Sequence, residues 1–322
     1  MRAVVCHRYG APETSLRIED VAMPVPGEGE VLIKVRAAAV NPLDWHLMKG
    51  KPYGVRIMGL TKPRTTRPGR DVAGRVEAVG PNVAQFSPGD EVFGVCRGAF
   101  AEYATASETK VARRPEAVSA EQAASAGIAG ITALQGLRDK GQLRPGQRVL
   151  INGASGGVGT FAVQIAKSMA AVVTGVCSTR NVEMVRSLGA DRVIDYTRED
   201  FTRAHERYDL VLDCVWNHPV SATRRVLTPD GRLVLVGAPP GRTSLGMLAS
   251  LLAPLVVGPF VSQELMFFIA NIQPTDLAVL ADSIAARTLT PVIDRREGLS
   301  EVPGAIRDVA ARHARGKVVI VP

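Results

Sequence analysis

The chain is poor in the features that mark several large protein classes. It holds four cysteines among 322 residues, Cys6, Cys96, Cys177 and Cys214. No two are close in sequence and no Cys-x-x-Cys pair occurs. No disulfide framework is therefore implied, and a reducing cytoplasm is the expected setting. Aromatic residues make up 5% of the chain, too few for a base-stacking platform. The basic residues are scattered, not gathered into a tract, so nucleic acid is not an expected partner. The net charge is still +8, for which an anionic phosphate cofactor is the simpler explanation. Pro254, Gly258 and Pro259 interrupt the apolar stretch from Leu245 to Val261, so no membrane span is expected. That stretch suits a greasy pocket or a subunit contact, and a homodimer is expected. Met1 to Val5 alternates like a strand and lacks the apolar core of a signal peptide.

What is present is globular. Hydrophobic residues at 46% and charged residues at 22% allow a packed core. Single cores stop growing near ~250–300 residues, so this length favours more than one domain. Residues 1–118 read as short strands with Gly/Pro punctuation, such as Val31 to Val35 and Arg75 to Val79, a texture of β-rich or barrel-like domains. From 119 to 273 strands alternate with helical spacing. Arg148 to Ile151 reads as a buried strand, and Val158, Phe161, Ala162, Ile165 and Met169 recur at helical spacing. Ala171 to Val176 is the next strand. Asn181 is placed to cap a helix through Leu188, which Gly189 stops. Val193-Ile194, Leu210 to Leu212 and Leu233 to Val236 follow as strands. This alternation predicts an α/β, doubly wound parallel sheet. Residues 274–322 return to strand texture at Pro291 to Ile293 and Val318 to Ile320, and are expected to rejoin the first domain.

The strongest local signal is Gly153-Ala154-Ser155-Gly156-Gly157-Val158-Gly159, between a strand and a helix. Glycines let the backbone turn tightly and approach a pyrophosphate, and free N–H groups at the helix start face the anion. The spacing is Gly-x-x-Gly-x-x-Gly. With the surrounding alternation it points to a dinucleotide. An NAD-preferring site places an acid at the end of the second strand. Here that end reads Val176-Cys177-Ser178-Thr179-Arg180-Asn181, with no acid. Ser178, Thr179 and Arg180 suit a 2′-phosphate instead, so NADPH is the expected cofactor.

Further segments make the chain resemble the medium-chain dehydrogenase/reductase family along nearly its whole length. They include Asn41-Pro42-Leu43-Asp44, Pro68 to Gly74, Pro88 to Gly94, Gly130 to Ala133, Gly189 to Tyr196 and Gly316 to Ile320. The resemblance implies a GroES-like domain, a Rossmann domain and a C-terminal return to the first. The family's zinc alcohol dehydrogenases bind catalytic metal with two Cys and one His. The matching positions carry Asn41, Arg70 and Ile128, and the lobe of four closely spaced cysteines is absent. The resemblance is therefore to the zinc-free quinone oxidoreductases, and no metal is expected. It implies that Asn41 and Thr132 lie near the nicotinamide, and that Gly153, Ser155, Gly156, Gly157 and Val158 hold the pyrophosphate. Arg180, Ser178, Tyr196 and Arg312 then surround the 2′-phosphate. Gly237 and Ala238 approach the nicotinamide ribose, and Phe268 and Asn271 close over the ring.

Without a metal, hydride transfer to a quinone or an α,β-unsaturated carbonyl needs mainly alignment. His46 and Tyr53 are the candidate proton donors. Two other readings stay open on the same scaffold. One is a zinc-independent alcohol or aldehyde dehydrogenase, and the other is a non-catalytic NADPH-binding sensor.

Overall fold

The computed structural model describes residues 1–50, 62, 63, 65–237, 252, 254, 256–312 and 314–322. They fall into two compact units, Met1–Ile131 with Asn271–Pro322, and Thr132–Ala270.

The first unit carries strands β1 (Arg2–Cys6), β2 (Leu16–Asp20), β3 (Glu30–Ala39), β4 (Asp71–Val79), β5 (Glu91–Val95), β6 (Tyr103–Ser107) and β7 (Val111–Arg113). The second carries β8 (Arg148–Asn152), β9 (Val172–Cys177), β10 (Arg192–Asp195), β11 (Tyr208–Asp213), β12 (Leu227–Val236) and β13 (Glu264–Phe268). The chain then returns to the first unit with β14 (Ile293–Glu297) and β15 (Lys317–Ile320). The helices that matter below are α1 (Pro42–Lys49), α2 (Ala120–Gln135), α3 (Gly157–Ser168), α4 (Val182–Ser187), α5 (Pro274–Ala285) and α6 (Val302–Ala310).

In the first unit β14-β15-β3-β4-β5-β7 form one sheet, with β6 also paired to β3. β15 runs antiparallel to β3, with Val319 opposite Ala39. The C-terminal strand thus pairs within the sheet of the first unit. It buries Val318, Val319 and Ile320 completely. Burial of each such side chain is worth about 1.5–3 kcal/mol.

The second unit is a six-stranded sheet in the order β10-β9-β8-β11-β12-β13, with every pairing parallel. Strands buried on both faces read as continuous apolar runs, which is why Val149, Leu150 and Ile151 are all inaccessible to solvent. The order reverses between β8 and β11, and ligands of such sheets bind outside the carboxyl ends of strands at that point.

The units meet in the chain inside α2, between Ile131 and Thr132, whereas the change of texture lies at 118/119. The reason is packing. A Cβ on Gly127 would stand 2.6 Å from Asp71 Oδ1, and Ile128 N donates to that same oxygen at 2.9 Å. The first half of the helix is thus docked on the first unit. At the far end the units divide at Ala270/Asn271, against 273/274 from the sequence.

Candidate active site

β8 ends at Asn152, and the chain turns at Gly153, whose φ of +86° favours glycine. Gly153 N and Ala154 N both donate to Val176 O, which pins the turn to the end of β9. Gly156 N donates to Gly153 O at 3.0 Å, and α3 then begins. Its first intrahelical bond is Thr160 N to Gly156 O at 3.0 Å. The N–H groups of Gly157, Val158 and Gly159 precede that bond and point out of the helix end, where its dipole favours an anion.

The glycines have different causes. A Cβ on Gly159 would come 2.1 Å from Gly153 O, so this glycine lets helix and turn pack together. A Cβ on Gly156 would meet only Gly153 O, at 3.4 Å, and its φ of −85° suits any residue. The protein's own packing does not require glycine there. An anion approaching the backbone does, so the cradle fits a pyrophosphate.

Asn181 stands at the N-cap position of α4, but its side chain does not do the capping. Its side chain makes no cap bond to α4, which is short, and Gly189 with φ +106° follows it. The amide Nδ2 instead reaches Ser155 Oγ and Ser178 Oγ, each at 3.1 Å. A buried side chain can satisfy two hydroxyls of neighbouring loops better than an exposed helix end that water already serves.

The end of β9 also differs from its linear reading. Tyr196 N donates to Cys177 O at 3.0 Å, which brings Tyr196, 57% exposed, beside Ser178. Thr179 Oγ1 donates to Asp195 Oδ2 at 2.6 Å, and that bond holds the Asp195 carboxyl below its ordinary pKa. Thr179 has thus given its hydrogen to a carboxylate. An acid absent from the end of β9 stands at the end of the adjacent β10, because the parallel register sets Asp195 against Cys177. Arg180 is exposed on the same turn.

A second polar knot ties the carboxyl ends of β8 and β11. Asn152 Nδ2 donates to Asp213 Oδ1 and to Asn217 Oδ1, both at 2.8 Å. Asp213 Oδ1 also accepts from Val215 N and Trp216 N, and burial pushes the Asp213 carboxyl pKa up. None of these residues stood out in the sequence, where they form no motif.

The first unit holds a buried network around Asn41. Lys317 Nζ, 3% exposed, donates to Asn41 Oδ1 at 2.7 Å and to Asp71 Oδ2 at 3.1 Å. Asn41 Nδ2 donates to Asp71 Oδ2 at 2.9 Å and to Ala39 O at 3.3 Å. Asn41 N donates to Asp44 Oδ2 at 2.9 Å, closing the first turn of α1. Asp44 Oδ1 is buried with no partner, beside a cavity lined also by Cys6, Tyr9, Met48, Arg67 and Arg70. Burial pushes the Asp44 pKa up to about 7, helped by Asp71 and opposed by the Asn41 bond, Lys317 and Arg70.

That pKa has a consequence for stability. An unfolded Asp titrates near ~3.9. Between about pH 4 and about pH 7 the folded chain keeps a proton that the unfolded chain has released. The Asp44 contribution is therefore full at acid pH and is lost as pH rises toward 7. Asp44→Asn, whose amide oxygen still accepts from Asn41 N, should remove that decline. Melting curves from pH 5 to 8 should show the variant gaining on the parent as pH rises. A constant difference would count against a titrating Asp44.

Residues 27–116 match the alcohol dehydrogenase GroES-like domain, and residues 188–320 match the zinc-binding dehydrogenase domain. A chloroplastic quinone-oxidoreductase of Triphysaria versicolor is 35% identical over 100% of this chain and 98% of its own. A mitochondrial NAD(P)H oxidoreductase of Mus musculus is 34% identical over 99% of this chain and 89% of its own. The quinone oxidoreductase of Coxiella burnetii superimposes with a TM-score of 0.89 at 29% identity, covering 100% of this chain and 99% of that one. A mycobacterial protein complexed with NADPH superimposes at 0.84, with 28% identity and full coverage of both chains.

The chain belongs to the medium-chain dehydrogenase/reductase family, in its quinone oxidoreductase-like branch. As an oxidoreductase of this family it carries both expected domain types, the GroES-like unit and the parallel-sheet Rossmann unit.

The residues singled out from the sequence divide between the units. Gly153, Ser155, Gly156, Gly157, Val158, Ser178, Arg180 and Tyr196 gather at the ends of β8, β9 and β10 in the Rossmann unit. Thr132 opens that unit within α2. Gly237 follows β12 with φ +78°, and Phe268 ends β13 with its ring buried near Gly136. Asn41, His46, Asn271 and Arg312 belong to the GroES-like unit. His46 is half-buried on α1. Asn271 lies 3.5 Å from Lys110 Nζ, and Arg312 has φ +62° after α6. Tyr53 and Ala238 lie outside the described residues. So does most of the apolar stretch; among its described members Leu252, Val256 and Phe260 are exposed, Val257 and Val261 are half-buried and Pro254 is buried. No helix among the described residues is long and apolar enough to cross a membrane.

Sequence reading missed Lys317, Asp71, Asp44 and Asn181 as site-forming residues. Asp44, Asp71 and Lys317 lie in the segments that carry the family resemblance, but nothing in the sequence joins Asp71 to a lysine 246 residues away.

Proposed function

We propose that this chain is a zinc-independent, NADPH-dependent oxidoreductase that passes hydride to a quinone or an α,β-unsaturated carbonyl. The observation that carries the cofactor reading is the cradle of Gly153 to Gly159, with a glycine at 156 that only an approaching ligand needs. The N–H groups of Gly157 and Val158 and the Ser155 hydroxyl would hold the pyrophosphate. Ser178, Arg180 and Tyr196 would hold a 2′-phosphate, with Arg312 reaching the same group. Asn41, Thr132, Gly237, Ala238, Phe268 and Asn271 would face the nicotinamide side, and His46 or Tyr53 would supply a proton. Bound there, the nicotinamide supplies the hydride, and the protein's task is orientation.

The zinc-independent reading rests on the donor set. Asn41, Arg70 and Ile128 offer neither thiolate nor imidazole. Asn41 Oδ1 and Asp71 Oδ2 already share the Lys317 ammonium. A site without a Lewis acid is poorly equipped to stabilise an alkoxide, whereas quinones and enones spread the arriving charge over a conjugated system. A homodimer is part of the proposal, since among the described residues β13 is the edge of its sheet and Ile269, which follows it, is 81% exposed. So is a cytoplasmic setting, in keeping with four free thiols.

Purified protein given NADPH and a panel of quinones and enones should turn over far faster than with aliphatic alcohols and NADP. Elemental analysis should find well below one zinc per chain, and chelators should leave the rate unchanged. Alcohols that outrun every quinone and enone would overturn the reaction class. Tight NADPH binding with no acceptor turned over would favour the sensor.

A further inference from the structure

Asn181 is 4% exposed and spans the two anion-facing turns of the Rossmann unit. Its Nδ2 stands 3.1 Å from Ser155 Oγ, in the cradle, and 3.1 Å from Ser178 Oγ, at the end of β9. Its Oδ1 is buried without a partner. Neither serine hydroxyl has another protein partner among the described residues, and both serines are half-buried. The opposite amide orientation would leave two N–H donors orphaned instead of one acceptor, so the orientation with Nδ2 toward the serines is favoured.

A serine oxygen that accepts from an amide must send its own hydrogen elsewhere. Here elsewhere is the surface on which the cradle and the end of β9 open. We infer that Asn181 is a positioning residue that fixes the Ser155 and Ser178 hydroxyls as donors, one toward the pyrophosphate and one toward the 2′-phosphate. The inference rests on the cofactor reading proposed above. It explains why a buried asparagine keeps an orphaned oxygen that an apolar residue of the same size would not carry. It also makes a single side chain the physical link between the two phosphate subsites. Aspartate at this position would reverse the arrangement. Its oxygens would accept from both hydroxyls, turn their hydrogens inward and set a negative charge beside both phosphates.

The test measures dissociation constants for NADPH and NADH by calorimetry, with melting temperature, on the full-length chain. Asn181→Leu should leave the melting temperature unchanged or raised. It should weaken NADPH about tenfold and NADH less, because only NADPH uses the Ser178 donor. Asn181→Asp should weaken NADPH by at least about a hundredfold. In a Ser155→Ala/Ser178→Ala background, Asn181→Leu should cost nothing further, since it acts through those hydroxyls. A lowered melting temperature with an unchanged NADPH/NADH ratio would overturn the inference and leave Asn181 merely structural. So would a loss that persists in the serine-free background. Arg180→Ala and Gly156→Val separate the two levels. If they weaken NADPH and the Asn181 variants do not, the inference fails and the cofactor reading stands. If none of the four weakens NADPH, the cofactor reading fails and takes the inference with it.

Discussion

Lys317→Met should destabilise the chain by about 3–5 kcal/mol, the cost of removing one partner of a buried ion pair. Lys317 and Asp71 are 3% and 0% exposed, and the ammonium also serves Asn41 Oδ1. Methionine fills much the same volume, so the loss is electrostatic. Asp71 would keep only Ile128 N and Asn41 Nδ2 as donors to a buried charge. Urea denaturation should show a lower midpoint, and the melting temperature should fall by roughly 10 °C. Adding Asp71→Asn should recover part of that loss, because it removes the stranded carboxylate. A double variant no better than the single one would mean that the pair is not coupled as its geometry requires. The pair also joins residues 246 apart in sequence, so the C-terminal strand should lose protection from hydrogen exchange first.

Gly156→Val should abolish dinucleotide binding while leaving the fold intact. The backbone at 156 is extended, and a Cβ there meets only Gly153 O at 3.4 Å. The melting temperature should therefore move little. A pyrophosphate that must approach this backbone would be pushed away by an added side chain, and NADPH affinity should drop by more than about a hundredfold. Gly159→Ala makes the contrast. Its Cβ would sit 2.1 Å from Gly153 O, so stability should fall whether or not cofactor is present. If Gly156→Val bound NADPH normally, the cradle would not be the pyrophosphate site.

Much of the architecture was legible because period and punctuation are local. The apolar run of β8, the helical spacing of α3 and the glycine turn between them are set by neighbours in sequence, and each element formed where its pattern lies. The strand texture of the tail, at Pro291 to Ile293 and Val318 to Ile320, was also legible, where β14 and β15 form. The unit boundary within α2 was not, because a helix reads the same whichever unit its faces are packed on. The partner of Asn181 was not, because a polar residue before a helix reads as a cap, and only a buried position beside two other loops makes a better offer.

Fold class, the glycine turn between β8 and α3, and the want of thiolate or imidazole at Asn41, Arg70 and Ile128 were all legible along the chain. Those depend on residue type and short spacing. Which charges meet was settled by the folded chain. Lys317 neutralises Asp71, Asp195 comes beside Thr179, and Asn181 links Ser155 to Ser178, each through sheet register or packing between distant segments. Burial then set their energies, since the same carboxyl that titrates near ~3.9 in water holds its proton to about 7 at Asp44 once water is removed.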